Sequence, residues 1–149
     1  MEITRSVEIS RTIDDVFAYV ADPRNDPEWC PKVLSVADTS GSGPGPSARY
    51  DVVHRPVPVL SRRHMNYVCL GWEPPNRIDW REDDSTDVLH VTYMLDDLGQ
   101  STRMTQRSRA ELAAPRVLHP LMRLGIGHDI AGQLKTLKRI LERGPRGVG

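Results

Sequence analysis

The chain has no surplus of either charge: twenty lysines and arginines balance twenty aspartates and glutamates over 149 residues. No global field therefore draws it to nucleic acid or to an anionic membrane surface. No stretch reaches the roughly 18 apolar residues of a membrane span. The N-terminal MEITRSVEIS lacks the apolar run of a secretory signal. The expectation is a cytoplasmic protein with no membrane insertion and no nucleic-acid partner. Cysteine is scarce: Cys30 and Cys69 have no metal-ligand spacing, so two free, buried thiols are expected. Lysine is rarer than arginine, three against seventeen, and the arginines are scattered.

Other absences narrow the chemistry. The five histidines form no HxxxH pair and have no cysteine nearby, which argues against a metal site. Gly41, Gly43 and Gly45 alternate with Ser and Pro and lead into no helix, so they make no phosphate loop. GxSxG is missing, and with it a nucleophile elbow. The reading is that no metal or nucleotide cofactor is used. Acid pairs such as Asp83-Asp84 and Asp96-Asp97 fall in turns and read as solvated. There is no internal repeat, and the length suits one domain over 1–143 with a disordered tail at 144–149.

What remains is patterned. Glu2–Ser10 alternates as a half-buried strand, with Ile3, Val7 and Ile9 on one face beside Arg5. Thr12 is placed to cap a short helix carrying Ile13, Val16, Phe17 and Val20, with Asp14 and Asp15 in its first turn. A second short turn between Pro23 and Trp29 follows. From Val33 the period becomes two, and six strands are expected: Val33–Ala37, Ala48–Arg55, Arg62–Trp72, Arg77–Glu82, Val88–Leu95 and Thr102–Leu112. Turn residues join them, including the Thr39–Ser47 loop, Pro56–Pro58 and Glu73-Pro74-Pro75-Asn76. Six consecutive strands predict antiparallel hairpins, and an amphipathic helix closes the chain. Such a set buries its apolar faces together only if the sheet curls around that helix, an arrangement that favours a small-molecule cavity between them.

Alternation assigns the faces. Tyr50, Val52 and His54 oppose Arg49, Asp51 and Arg55. Met65, Tyr67 and Cys69 are taken as inward on the next strand, followed by Ile78 and Trp80, then Leu89, Val91, Tyr93 and Leu95. Thr102, Met104, Gln106 and Ser108 face inward on the last strand, because Arg103, Arg107 and Arg109 must meet water. That puts Tyr50, His54, Tyr67, Trp80, Tyr93, Gln106 and Ser108 inside, too many polar tips for a dry core, since each buried polar group needs a partner. A ligand or water in a cavity supplies those partners.

These residues resemble a known family. VEISRTIDDVFAYVADPRNDPEWCPKV is similar to the opening of the START-like helix-grip (SRPBCC) superfamily, in its polyketide cyclase/dehydrase branch. The shared features are the first strand, Val16-Phe17, the Asp22-Pro23 break, and Trp29 before Pro31. Glu73-Pro74-Pro75 with Ile78-Asp79-Trp80, Tyr93-Met94-Leu95 with Thr102-Arg103-Met104-Thr105, and Leu134, Leu137-Lys138 and Leu141-Glu142 extend the likeness along nearly the whole chain. The resemblance implies an α+β helix-grip fold: a seven-stranded antiparallel sheet around a long C-terminal helix, two short helices after the first strand, and a hydrophobic pocket. The superfamily contains aromatases and cyclases, lipid and quinone carriers and hormone receptors. It has no shared catalytic motif, so no catalytic residue transfers by position.

The functional expectation is a binding protein for a small hydrophobic molecule, aromatic or polyketide-like, acting as a carrier or in specialised metabolism. The alternatives are a polyketide aromatase/cyclase or dehydratase using the same cavity and a protein-interaction module. His54 is the acid/base candidate, because an imidazole near the ligand can transfer a proton near neutral pH. The expected ligand-binding set is Trp29, Tyr50, His54, Met65, Tyr67, Trp80, Tyr93, Met104, Gln106, Ser108, Val117 and Leu121.

The last two come from helix phase. Val117, Leu121 and Leu124 form one stripe, and Ile130, Leu134, Leu137 and Leu141 form another pointing well over a right angle away. One straight helix could not press both onto one sheet, and each glycine at Gly125 and Gly127 weakens helix by roughly 1 kcal/mol relative to alanine. A kink or break there is expected, with Arg116–Leu124 forming a hinged pocket mouth.

Overall fold

A computed structural model describes residues 1–55 and 62–143. The expected disordered tail at 144–149 and the Pro56–Pro58 turn lie outside the described residues.

The chain runs β1 (Glu2–Ile9), α1 (Ile13–Val20), a 3₁₀ turn at Pro23–Asn25, α2 (Asp26–Trp29), then β2 (Val33–Asp38), β3 (Arg49–His54), β4 (Arg63–Glu73), β5 (Arg77–Asp83), β6 (Val88–Asp97) and β7 (Thr102–Glu111). A 3₁₀ turn at Arg116–Leu118 leads into α3 (His119–Arg143). The strands make one seven-stranded sheet in the order β1-β7-β6-β5-β4-β3-β2, every neighbouring pair antiparallel. β2 to β7 are successive hairpins, and β1 joins from the far end beside β7. This is the expected sheet closed by a C-terminal helix.

The inward strand residues and one face of α3 share a single core. Ile130, Leu134, Leu137 and Leu141 meet Ile3, Ile9, Trp29, Tyr50, Val52, Met65, Ile78, Trp80, Tyr93 and Met104 there. Outward neighbours such as Arg49, Arg81 and Arg103 stand in water. β4 carries a bulge between Cys69 and Gly71. A Cβ built on Gly71 would fall 2.5 Å from Asp79 Oδ2, so glycine makes room for the Asp79 carboxylate, which Arg77 and Thr92 hold in place. The Pro74–Pro75 bond in the following turn is cis.

Two local expectations are corrected. Thr12 stands at the N-cap of α1 in extended conformation, but its side chain makes no capping hydrogen bond; its carbonyl accepts from Val16 N–H at 3.1 Å. The more consequential correction concerns α3, which continues as α-helix through Gly125 and Gly127. The conflict between its two stripes is settled by leaving the first in solvent. Val117, Leu121 and Leu124 are 83%, 71% and 73% exposed. Tertiary packing of the second stripe outweighs the cost of two helical glycines, and the hinged mouth that depended on a break is lost with it.

The carboxyl end of α3 is tied back to the start of the chain. Glu142 accepts from Ser10 N–H at 2.8 Å and from Lys138 Nζ at 2.6 Å, while Arg11 donates to the Leu141 carbonyl. Toward the other end, Lys32 and Asp129 form an ion pair that pins α3 to the chain entering β2.

Candidate ligand-binding site

Strand register lays the inward side chains out as rows. Tyr50 on β3 lies opposite Tyr67 on β4, and Tyr67 lies opposite Glu82 on β5. One step along, Trp80 pairs with Val91 and Val91 with Ser108; beyond that, Ile78 pairs with Tyr93 and Tyr93 with Gln106. Residues directly opposite in an antiparallel pair share a face, so these rows project toward α3. The short helix α2 covers them from the side with buried Asp26 and Trp29.

The rings touch in sequence. Trp29 and Tyr93 have centroids 6.1 Å apart, Tyr50 meets Trp80 edge-on at 6.0 Å, and Tyr67 lies 6.3 Å from Trp80. Met65, Met104 and Cys69 complete an apolar wall.

Polar atoms are left over among the described residues. Gln106 Nε2 donates to Ser108 Oγ at 3.3 Å, but Gln106 Oε1 has no partner. Tyr50 Oη, Trp29 Nε1, Asp26 Oδ1 and His54 Nε2 are likewise buried and unpaired. A buried polar atom without a partner costs roughly 1–3 kcal/mol. Each is a group to which another molecule can supply a hydrogen bond.

Burial shapes the ionisation of the same groups. It pushes the Tyr67 and Tyr93 phenols well up and Tyr50 to about 12, so all three are neutral donors. The Cys30 and Cys69 thiols are raised by burial too, which leaves them unreactive. His54 is lowered by burial and by nearby Arg63, and so stays neutral at pH 7. Glu82 retains some accessible surface, yet the protein around its carboxyl raises it to about 8. Asp26, 5% exposed, is pushed well above the usual carboxylate range by burial and then by Glu82 and Asp22.

Of the expected set, Trp29, Tyr50, Met65, Tyr67, Trp80, Tyr93, Met104, Gln106 and Ser108 are buried and His54 is half-buried beside them. Val117 and Leu121 are not brought to this group and stand in solvent. Two residues escaped the sequence reading, Asp26 and Glu82. Glu82 continues the inward period of Ile78 and Trp80, so the alternation carried the signal; treating acids as solvated by default hid it. Asp26 gave none, because its depth depends on how α2 docks.

Two hollows of about 340 and 290 Å³ are present. The first is lined by outward-facing Arg49, Asn66, Val68, Arg81 and Asp83 together with Tyr50 and Tyr67 of the wall, and the second by Met1, Glu2, His90, Arg109 and Glu111. Among the described residues no cluster of three or more His, Cys, Asp or Glu could hold a metal, and no helix is long and apolar enough to cross a membrane.

Residues 1–142 match the family model described as polyketide cyclase/dehydrase and lipid transport. No curated protein matches the sequence. Similar solved structures include TTHA0849 from Thermus thermophilus, at 18% identity and a TM-score of 0.76, covering 95% of this chain and 97% of that one. A START superfamily protein from Mycobacterium smegmatis is 14% identical with a TM-score of 0.75, over 95% and 97% of the two chains. The di-domain ARO/CYC StfQ from the steffimycin biosynthetic pathway is 15% identical with a TM-score of 0.73, over 95% of this chain and 50% of that one. At such identities the likeness establishes the fold alone.

Proposed function

Because the chain belongs to the polyketide cyclase/dehydrase and lipid transport family, we propose that it binds a small hydrophobic molecule between the concave face of the sheet and α3. The observation that carries this reading is the set of unpaired polar atoms on Trp29, Tyr50, His54 and Gln106, set into a continuous wall of aromatic and sulfur-containing side chains. Such a wall gives affinity through apolar burial, and a few polar tips fix orientation. The ligand is an aromatic or polyketide-like molecule, held as a carrier holds its cargo.

Cyclisation of a poly-carbonyl chain bent against the same wall is the second reading. It is favoured by one feature: the His54 imidazole is neutral, faces inward and has a free Nε2, as a general base requires.

Native mass spectrometry of freshly purified protein, followed by titration with the neutral dye Nile red, tests the binding reading. A co-purifying small molecule displaced by one dye per chain, with energy transfer from Trp29 and Trp80, is expected. Dye uptake that never saturates, or that disappears when exposed Leu121 and Leu124 are replaced by Gln, would sink it.

A further inference from the structure

Two acids face into the interior, and among the described residues no basic side chain acts on either of them. Asp26 is 5% exposed and its Oδ1 has no partner among the described residues. Glu82 stands opposite Tyr67 on the inward face, next in alternation to Trp80. Each acid perturbs the same two phenols, Tyr67 and Tyr93.

Among the described residues the surroundings give them no counter-charge. The groups acting on Asp26 are Glu82 and Asp22, both acids; the Trp29 indole acts weakly the other way without closing a hydrogen bond. Burial raises the Glu82 carboxyl, and no basic side chain acts on it; Glu82 in turn acts on Asp26. Lys32 pairs with Asp129, and Arg5 donates to the Thr4 carbonyl at 2.8 Å beside Gly127. Gln106 Oε1, 7% exposed at the residue level and also unpaired, adds a further acceptor.

A buried carboxylate is stable when it is paired and hydrogen-bonded. The faces of Trp29, Tyr67, Trp80 and Tyr93 attract a cation as well. We propose that the interior recognises a hydrophobic amine, its ammonium group lodged between Asp26 and Glu82 and its apolar body against the aromatic wall. This rests on the reading of the interior as a ligand site and adds the ligand's charge. The ammonium N–H groups satisfy the acceptors that the fold leaves open, and they replace protons that the two acids otherwise hold.

The test compares 2-naphthylmethylamine with its neutral analogue 2-naphthalenemethanol, by calorimetry near pH 7 in two buffers of different ionisation enthalpy. The amine is expected to bind at least tenfold more tightly and to release between one and two protons per ligand, because its charge pulls the two acids toward their ionised forms. The alcohol should release none. Glu82→Gln and Asp26→Asn should each weaken the amine more than the alcohol and so reduce the amine's advantage. Proton release by the unsubstituted protein stands as a readout even where a variant folds poorly. Equal affinities with no proton released would overturn the cation site and leave the hydrophobic site intact. Failure of both probes to bind would overturn both.

Discussion

Gly127 of α3 lies directly beneath the Arg5 side chain of β1: a Cβ built there would fall 2.5 Å from Nη2 and 3.3 Å from Cζ of that arginine. The glycine therefore lets helix and strand approach closely, and its conformational freedom is not used as a hinge. Gly125, two residues earlier, is exposed and has open space around its Cβ. Gly125→Ala should raise stability by about 0.5–1 kcal/mol through helix propensity. Gly127→Ala should gain less, because Arg5 must move. Urea unfolding of the two variants decides it, and equal gains would show that the Arg5 contact carries no constraint.

Glu82 and Asp26 make stability depend on pH in an unusual direction. An acid whose pKa is raised by folding holds a proton that the unfolded chain has already released. For Glu82 that window runs from its ordinary value of 4.5 to about 8. Stability should be fullest below this window and fall as pH rises through it, with Asp26 adding in the same direction. Each pH unit of that window is worth about 1.4 kcal/mol at most. With some solvent reaching Glu82, the loss is on the order of a few kcal/mol. Glu82→Gln should flatten the profile between about pH 5 and pH 9 in urea unfolding; an unchanged slope would show that this carboxyl ionises freely.

His54 works with the opposite sign. Its imidazole is lowered on folding, chiefly by burial. The unfolded chain therefore takes up a proton first, and His54 costs stability as pH falls through 6.5, its ordinary value. Nuclear magnetic resonance titration of the ring should give a midpoint below that value, and His54→Gln should remove the acid-side loss. A midpoint at or above the ordinary value would mean that the ring is solvated and does not face the interior.

The exposed stripe at the start of α3 separates packing from binding. Leu121→Gln and Leu124→Gln should each change stability by no more than about 0.5 kcal/mol, because the side chains are 71% and 73% exposed. Leu134→Ala, at 1% exposure, should cost about 2–5 kcal/mol. Thermal melts of the three variants check the contrast. A large loss at Leu121 would mean that the first stripe packs after all.

The strands, their antiparallel succession and the inward faces of β3 to β7 were legible in the sequence, because a period of two fixes which side chains share a side whatever else the chain does. Tyr50, Tyr67, Trp80, Tyr93 and Gln106 were placed on that ground, and the structure buries all five. The phase of α3 was also legible, but its consequence was not. Periodicity records which residues could be buried together, whereas the sheet has area for only one stripe, and packing chose Ile130, Leu134, Leu137 and Leu141. The depth of Asp26 and the burial around the Glu82 carboxyl were likewise decided in three dimensions. Whether an acid is solvated depends on what docks over it, and α2 and the strands beside β5 are brought there only by the tertiary fold.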